Sequence, residues 1–232
     1  MPALPRIEPV GVPPGAPPAV VLVLPGGSAR STHSGERKGL AYWRMVPFAA
    51  MLAHEDLAVY LLRYRVRGWN APARDAVRDA AWAVGEIARR HPGTSVVLLG
   101  HSMGGRAALD AAGEPAVTAV CALAPWLDGS DSVDQLAGRT VMIIHGDRER
   151  YTDPAESYAY AVRAKRVTDR ICRFDLPGAG HFMLARSGDW LTLVRRFVLG
   201  VAGVTPEDPV IANAIARPAP EGLRTVLSNT LR

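Results

Sequence analysis

The sequence predicts an α/β fold, a mostly parallel sheet of about six strands with helices on both faces. Two observations carry this. Short, wholly apolar runs such as Val20 to Leu24 and Val141 to Ile144 alternate with longer segments of helical periodicity. Strands covered on both faces read as continuous apolar runs, whereas half-exposed strands alternate. The second observation is that the run Val96 to Leu99 passes through Gly100-His101-Ser102-Met103-Gly104 straight into a helical segment. With 232 residues, 48% of them hydrophobic, the chain can bury a large core as one domain.

The elements follow in order. Val20 to Leu24 is a strand, Trp43 to His54 a helix with Pro47 near its start, and Leu57 to Arg63 a second strand. Residues 72–90 form a helix, because Val77, Ala81, Val84, Ile87 and Ala88 recur at helical spacing. It stops at His91-Pro92-Gly93. Val96 to Leu99 is a strand, Arg106 to Ala112 a helix, and Val117 to Leu123 and Val141 to Ile144 are strands. The next helix carries a capping box, with Asp153 at the N-cap, Pro154 at the first position and Glu156 three residues after the cap. Ile171 to Leu176 is the last strand of this series, and a helix from about Asp189 to Leu199 closes the domain.

Outside that series the signals weaken. Residues 1–17 are Pro-rich and read as an extended arm, residues 18–200 as the folded domain, and residues 201–232 as a tail. The tail has a short helix at Val210 to Ala216, and Leu223, Val226, Leu227 and Leu231 recur on one helical face. It packs on the body, pairs with a second copy as a homodimer, or stays mobile.

The formal net charge of +5 comes from scattered arginines; of the 27 basic residues only Lys38 and Lys165 are lysines. Without a basic run, this argues against a nucleic-acid partner. No apolar run is long enough to span a membrane, and residues 2–18 lack the apolar core of an export signal. Cys121 and Cys172 each fall inside a strand with no spacing motif, which suggests a reducing, cytoplasmic setting.

In such folds the loops at the carboxyl ends of the strands carry the site. Four features emerge there: Ser102; the turn Pro25-Gly26-Gly27-Ser28; the acidic loop His145-Gly146-Asp147-Arg148-Glu149; and Gly178-Ala179-Gly180-His181. Serine, acid and histidine occur in that chain order, each just past a strand. From about residue 18 to residue 200 the sequence resembles the α/β-hydrolase family, with its Gly-x-Ser-x-Gly nucleophile elbow. It is similar to the capless serine esterases and the dienelactone-hydrolase-like branch. Residues 128–139, where many relatives insert a helical cap, form only a short linker.

The resemblance implies a serine hydrolase of carboxylesterase type, with Ser102 as nucleophile and His181 as the base that takes its proton. A carboxylate must orient the imidazole. Glu149 stands where the family has aspartate, and Asp147 lies two residues earlier as the alternative acid, with bracing of its own turn as its other role. The backbone N–H groups of Met103 and Gly27, helped by Ser28, are the expected oxyanion donors. No metal and no organic cofactor is implied. His145 is a candidate to support the site from behind, and His101 lies inside the elbow.

Specificity is harder to read. Trp126, Trp69 and the Met103 side chain fall on the active edge, as walls of a substrate pocket or as packing under loops. Arg30, Arg37, Lys38 and Arg44 belong to or follow the long loop from Gly26 to Tyr42, facing anionic substrates or only solvent. The expected reaction is hydrolysis of a small or medium carboxylic ester or thioester through an acyl-serine. A peptidase, a lactone hydrolase and an inactive binding protein on the same fold are the rivals.

Overall fold

In the computed structural model, which describes residues 4–227, one eight-stranded sheet runs through the molecule. Its strands are β1 (Arg6–Gly11), β2 (Ala19–Leu24), β3 (Ala58–Arg63), β4 (Ser95–His101), β5 (Val117–Leu123), β6 (Thr140–Gly146), β7 (Ile171–Leu176) and β8 (Thr225–Val226). The spatial order is β1-β3-β2-β4-β5-β6-β7-β8. Only β1 is antiparallel, to β3; every other neighbouring pair is parallel.

Six helices connect them: α1 (Leu40–Ala53), α2 (Asp75–Arg90), α3 (Met103–Asp110), α4 (Pro154–Ala164), α5 (Ser187–Val201) and α6 (Pro209–Ala216). The two-residue period of each strand divides the core into two layers. Val20, Leu22 and Leu24 of β2 face α2, α3 and α4, with Ala80, Val84, Ala107 and Tyr160. Ala19, Val21 and Val23 face α1, α5 and α6, with Phe48, Leu52, Trp190 and Ile211.

Helix α2 starts at Asp75, three residues later than its periodicity suggests, because Arg74 sits at φ 49° and breaks the helical run. Helix α3 starts at Met103, three residues earlier than expected, directly after the elbow. Asp153 caps α4 by accepting from the Ala155 N–H. The Glu156 half of the expected capping box makes no hydrogen bond back to Asp153 among the described residues.

The expected six strands are two too few. Residues 6–11, read as part of an extended arm, form the edge strand β1, where proline is tolerated because the outward N–H needs no partner. Residues 225–226 pair with β7 as β8 instead of continuing a helix. Leu231 lies outside the described residues. The described part of the tail packs on the body: Ile211, Ala214, Leu223 and Leu227 are buried, and Arg173 from β7 donates to the Leu223 carbonyl.

The chain leaves β2 toward β3 on one side and returns to β4 on the other. The carboxyl ends of β2 and β4 therefore flank the point where the winding reverses, and a crevice forms there. Between β5 and β6, residues 124–139 hold a single 3-10 turn, Asp134–Leu136, and no further domain. No described helix is long and apolar enough to cross a membrane.

Candidate active site

Ser102 follows β4 at φ 56°, ψ −121°, a conformation L-residues avoid and that persists only where the surroundings enforce it. Here they do. A Cβ on Gly100 would overlap the Gly104 carbonyl, and one on Gly104 would overlap the carbonyls of Leu24 and Pro25. The Ser102 N–H donates to the Leu123 carbonyl at 2.9 Å, and its own carbonyl accepts from Arg106 and Trp126, each at 3.1 Å. The elbow is thus tied to β5 and to the loop after it.

The loop after β7 brings His181 over the elbow. Gly178, at φ 77°, turns the chain, and the Ala179 carbonyl accepts from the Arg148 N–H at 2.9 Å, which ties this loop to the one after β6. His181 Nε2 lies 3.1 Å from Ser102 Oγ, and its Nδ1 lies 2.8 Å from Glu149 Oε2. The other Glu149 oxygen, Oε1, accepts from three successive backbone N–H groups, Arg150 and Tyr151 at 2.7 Å and Thr152 at 3.3 Å. Burial alone raises the Glu149 pKa. The His181 bond and those backbone donors outweigh it and hold the carboxyl down at about 2.

Of the two acids left open by the sequence, the fold brings Glu149 to the imidazole. Asp147 is exposed and accepts from the Gly178 N–H at 2.6 Å, bracing the turn that carries His181.

Two further histidines frame the site. Burial pushes His101 down to about 3, and its Nε2 lies 2.9 Å from the His181 carbonyl. A carbonyl only accepts, so Nε2 carries the proton, and Nδ1 is left without a partner among the described residues. His145 is likewise held at about 3, by burial first and the Arg173 charge second. Its Nδ1 lies 2.9 Å from Ser157 Oγ and its Nε2 3.1 Å from Thr152 Oγ1, behind the Glu149 loop.

The Met103 N–H is the first of α3 and has no acceptor, as expected at a helix N-terminus; Gly27 N–H is also uncommitted among the described residues. Ser28, the expected helper, is not available: its N–H donates to the Arg67 carbonyl at 2.9 Å. A Cβ on Gly27 would press into Met103 Sδ and Cε, and the Met103 side chain is buried behind the turn rather than lining a pocket.

The tryptophans also depart from the pocket expectation. Trp69 is 3% exposed and meets Trp126 edge-on, ring centroids 6.2 Å apart. The Arg106 guanidinium lies 4.5 Å and 4.8 Å from their two centroids and is anchored to Asp131 at 2.6 Å and Asp128 at 2.7 Å. This cation and aromatic cluster supports the α3 face, and neither ring lines the cavities beside Ser102.

Two hollows flank the serine and histidine. One, of about 220 Å³, lies against Gly26 and Gly27 and is walled by residues 35–42 and the end of β3. The other, of about 310 Å³, lies against His181 and is rimmed by Arg148, Arg150, Tyr151, Phe182 and Leu184. Sequence reasoning missed Tyr151 and Phe182, whose rings sit 5.2 Å and 5.7 Å from the His181 ring. Their adjacency to Glu149 and His181 in the chain was the available signal. No three His, Cys, Asp or Glu side chains among the described residues come together as a metal site.

Comparison with known proteins agrees with this architecture. Residues 37–142 match the family model described as serine aminopeptidase, S33. No curated protein sequence matches the chain. Among solved structures, a serine hydrolase without lid from Xanthomonas campestris superposes with a TM-score of 0.65 at 18% identity, covering 88% of this chain and 91% of that one. Est1E from Butyrivibrio proteoclasticus, with ferulic acid bound, gives 0.64 at 16% identity over 86% of this chain and 96% of that one. Thermogutta terrifontis esterase 2, phosphonylated by cyclosarin, gives 0.65 at 18% identity over 85% and 88%. With the elbow at the reversal point of the sheet and only a short loop where a lid would be inserted, the chain has the α/β-hydrolase fold in a form without a lid.

Proposed function

We propose that the protein is a serine hydrolase cleaving carboxylic esters or thioesters of small or medium size through an acyl-Ser102 intermediate. The observation that carries this is the continuous line from Ser102 Oγ through the His181 ring to Glu149 Oε2, at 3.1 Å and 2.8 Å. Glu149 is ionised and accepts only, so His181 Nδ1 holds its proton and Nε2 offers a lone pair to the Ser102 hydroxyl.

As Ser102 Oγ attacks the carbonyl carbon, its proton passes to His181 Nε2, and Glu149 stabilises the imidazolium that forms. Charge builds on the carbonyl oxygen, where the Met103 and Gly27 N–H groups act as donors assisted by the α3 dipole. The tetrahedral intermediate expels the alcohol or thiol, which takes the proton from Nε2. Water then repeats the sequence on the acyl-serine and releases the acid. Cys121 and Cys172, buried and two strands apart in the sheet, fit a reducing compartment such as the cytoplasm.

The test is labelling by a fluorophosphonate, with the adduct located by peptide mass spectrometry. Labelling of Ser102 that disappears in Ser102→Ala and His181→Ala supports the reading; a folded protein that takes no label overturns it. A peptidase is the second reading, favoured by the match to a family model described by aminopeptidase activity. Parallel assays on aryl esters and aminoacyl anilides separate the two.

A further inference from the structure

The hollow beside Gly26 and Gly27 differs from the one beside His181 in what a bound ester would place there. The scissile oxygen must face the Met103 and Gly27 N–H groups, and the leaving group must face His181 Nε2 to collect its proton. The acyl chain therefore points away from His181, across the Gly26-Gly27 turn. Gly26 joins the two: a Cβ there would stand 3.4 Å from the Ser102 Cβ, and Gly26 also lines the 220 Å³ cavity.

Every charged residue lining that cavity is an arginine: Arg37, Arg63 and Arg67. The acids nearby are already engaged. Glu8 accepts from Arg63 at 2.8 Å and Tyr42 at 2.5 Å and pairs with Lys38 at 3.0 Å, and Glu36 pairs with Arg6 at 3.9 Å. Arg67 Nη2 donates to the Arg37 carbonyl at 2.6 Å, which fixes the fork across the cavity wall, and its Nη1 lies beside Gly39, which has no side chain to cover it. Among the described residues no carboxylate pairs with Arg67 or Arg37. A half-buried guanidinium held in place without a counter-ion is a preformed half of an ion pair, and its planar fork matches a carboxylate.

We propose that this cavity receives an anionic acyl group and that Arg67, with Arg37, selects esters whose acyl chain ends in a carboxylate. The inference rests on the hydrolase reading, since it names the substrate class of that site. The probes are 4-nitrophenyl hemiesters of glutaric, adipic and suberic acid, against the mixed 4-nitrophenyl methyl diesters of the same acids, which keep the length and remove the charge. At low salt the best hemiester should exceed its diester about tenfold in kcat/KM, chiefly through KM, and the ratio should shrink as salt screens the contact. In Arg67→Gln and Arg37→Gln/Arg67→Gln the ratio should fall toward one, while Arg78→Gln, on α2, keeps it.

Equal or poorer turnover of every hemiester by a protein that labels on Ser102 overturns the inference and leaves the hydrolase reading standing. Calorimetric titration of Ser102→Ala with the same pairs reads the preference without turnover. Tighter binding of a hemiester than of its diester, lost in the added Arg67→Gln change, supports the anion site whatever the labelling result. Equal binding, or none, overturns it.

Discussion

Shortening Glu149 by one methylene separates its two jobs. In Glu149→Asp the carboxylate recedes by about 1.5 Å, one carbon–carbon bond. It can then either stay in the cradle of the Arg150, Tyr151 and Thr152 N–H groups or follow His181, but the present 2.7 Å and 2.8 Å contacts cannot both survive. Losing one charge-assisted hydrogen bond to the imidazolium costs about 1.5–3 kcal/mol, a fall of roughly 10- to 150-fold in kcat. Glu149→Gln is harsher, because an amide can present N–H to Nδ1 and hold the wrong tautomer; an amide at the equivalent place in serine proteases costs about 10⁴-fold. Asp147→Asn keeps a carbonyl oxygen for the Gly178 N–H, so kcat should stay within about threefold, since such neutral exchanges at exposed bonds cost little. The assay is kcat and KM on 4-nitrophenyl butyrate, with the rate of fluorophosphonate labelling beside it. If Glu149→Gln keeps a third of wild-type kcat, or Asp147→Asn loses as much as Glu149→Gln, the assignment of the acid is wrong.

The site should also make the fold sensitive to acid. His101 and His145 are buried and held near 3, so between pH 6.5 and 3 the unfolded chain binds protons the folded one refuses, and stability falls as pH drops. Glu149, held near 2, adds to the loss below about 4.5 in the same direction. Two such histidines give a slope of at most about 3 kcal/mol per pH unit below pH 6, so the urea midpoint should drop clearly between pH 7 and pH 5; an unchanged midpoint would count against neutral burial of both rings. Separately, Gly104→Ala drives a methyl into the Leu24 and Pro25 carbonyls and should lower thermal stability and abolish labelling of Ser102, since the elbow must shift by more than the reaction tolerates. A variant that melts and labels like wild type would refute that packing argument.

The interior of the sheet was legible because β2 and the central runs of β4, β5 and β6 are buried on both faces and so read as unbroken apolar stretches. Its two edges were not. In β1 the signal is diluted by Pro9, which an edge strand can carry and a central one cannot, and by Pro5 just before the strand. In the tail, Leu223, Val226 and Leu227 have a spacing that fits a helix, and pairing with β7 decides otherwise. At the site, Ser102 could be read from the elbow glycines, since the close approaches at Gly100 and Gly104 leave no choice of residue, and His181 from its place just past the end of β7. The acid could not, because Glu149 and Asp147 are two positions apart and only the folding of the loop shows which carboxylate turns inward. Trp69 and Trp126 misled for a related reason. Loop position suggests an open wall, but their partner is Arg106, whose place between the rings is a tertiary fact with no trace in local sequence.

Strand β1 has a further consequence. Through Glu8 it gathers Tyr42, Lys38 and Arg63, so the wall of the acyl-side cavity is pinned by a residue on the outermost strand. On the proposed reading of that cavity, changes to residues 6–11 act on selectivity. Fusions, trimming or exchange of residues 6–11 between relatives would loosen the 37–42 wall while leaving Ser102, His181 and Glu149 in their places. If the cavity takes the acyl group as proposed, edge-strand exchange retunes which acids this scaffold accepts without touching Ser102, His181 or Glu149.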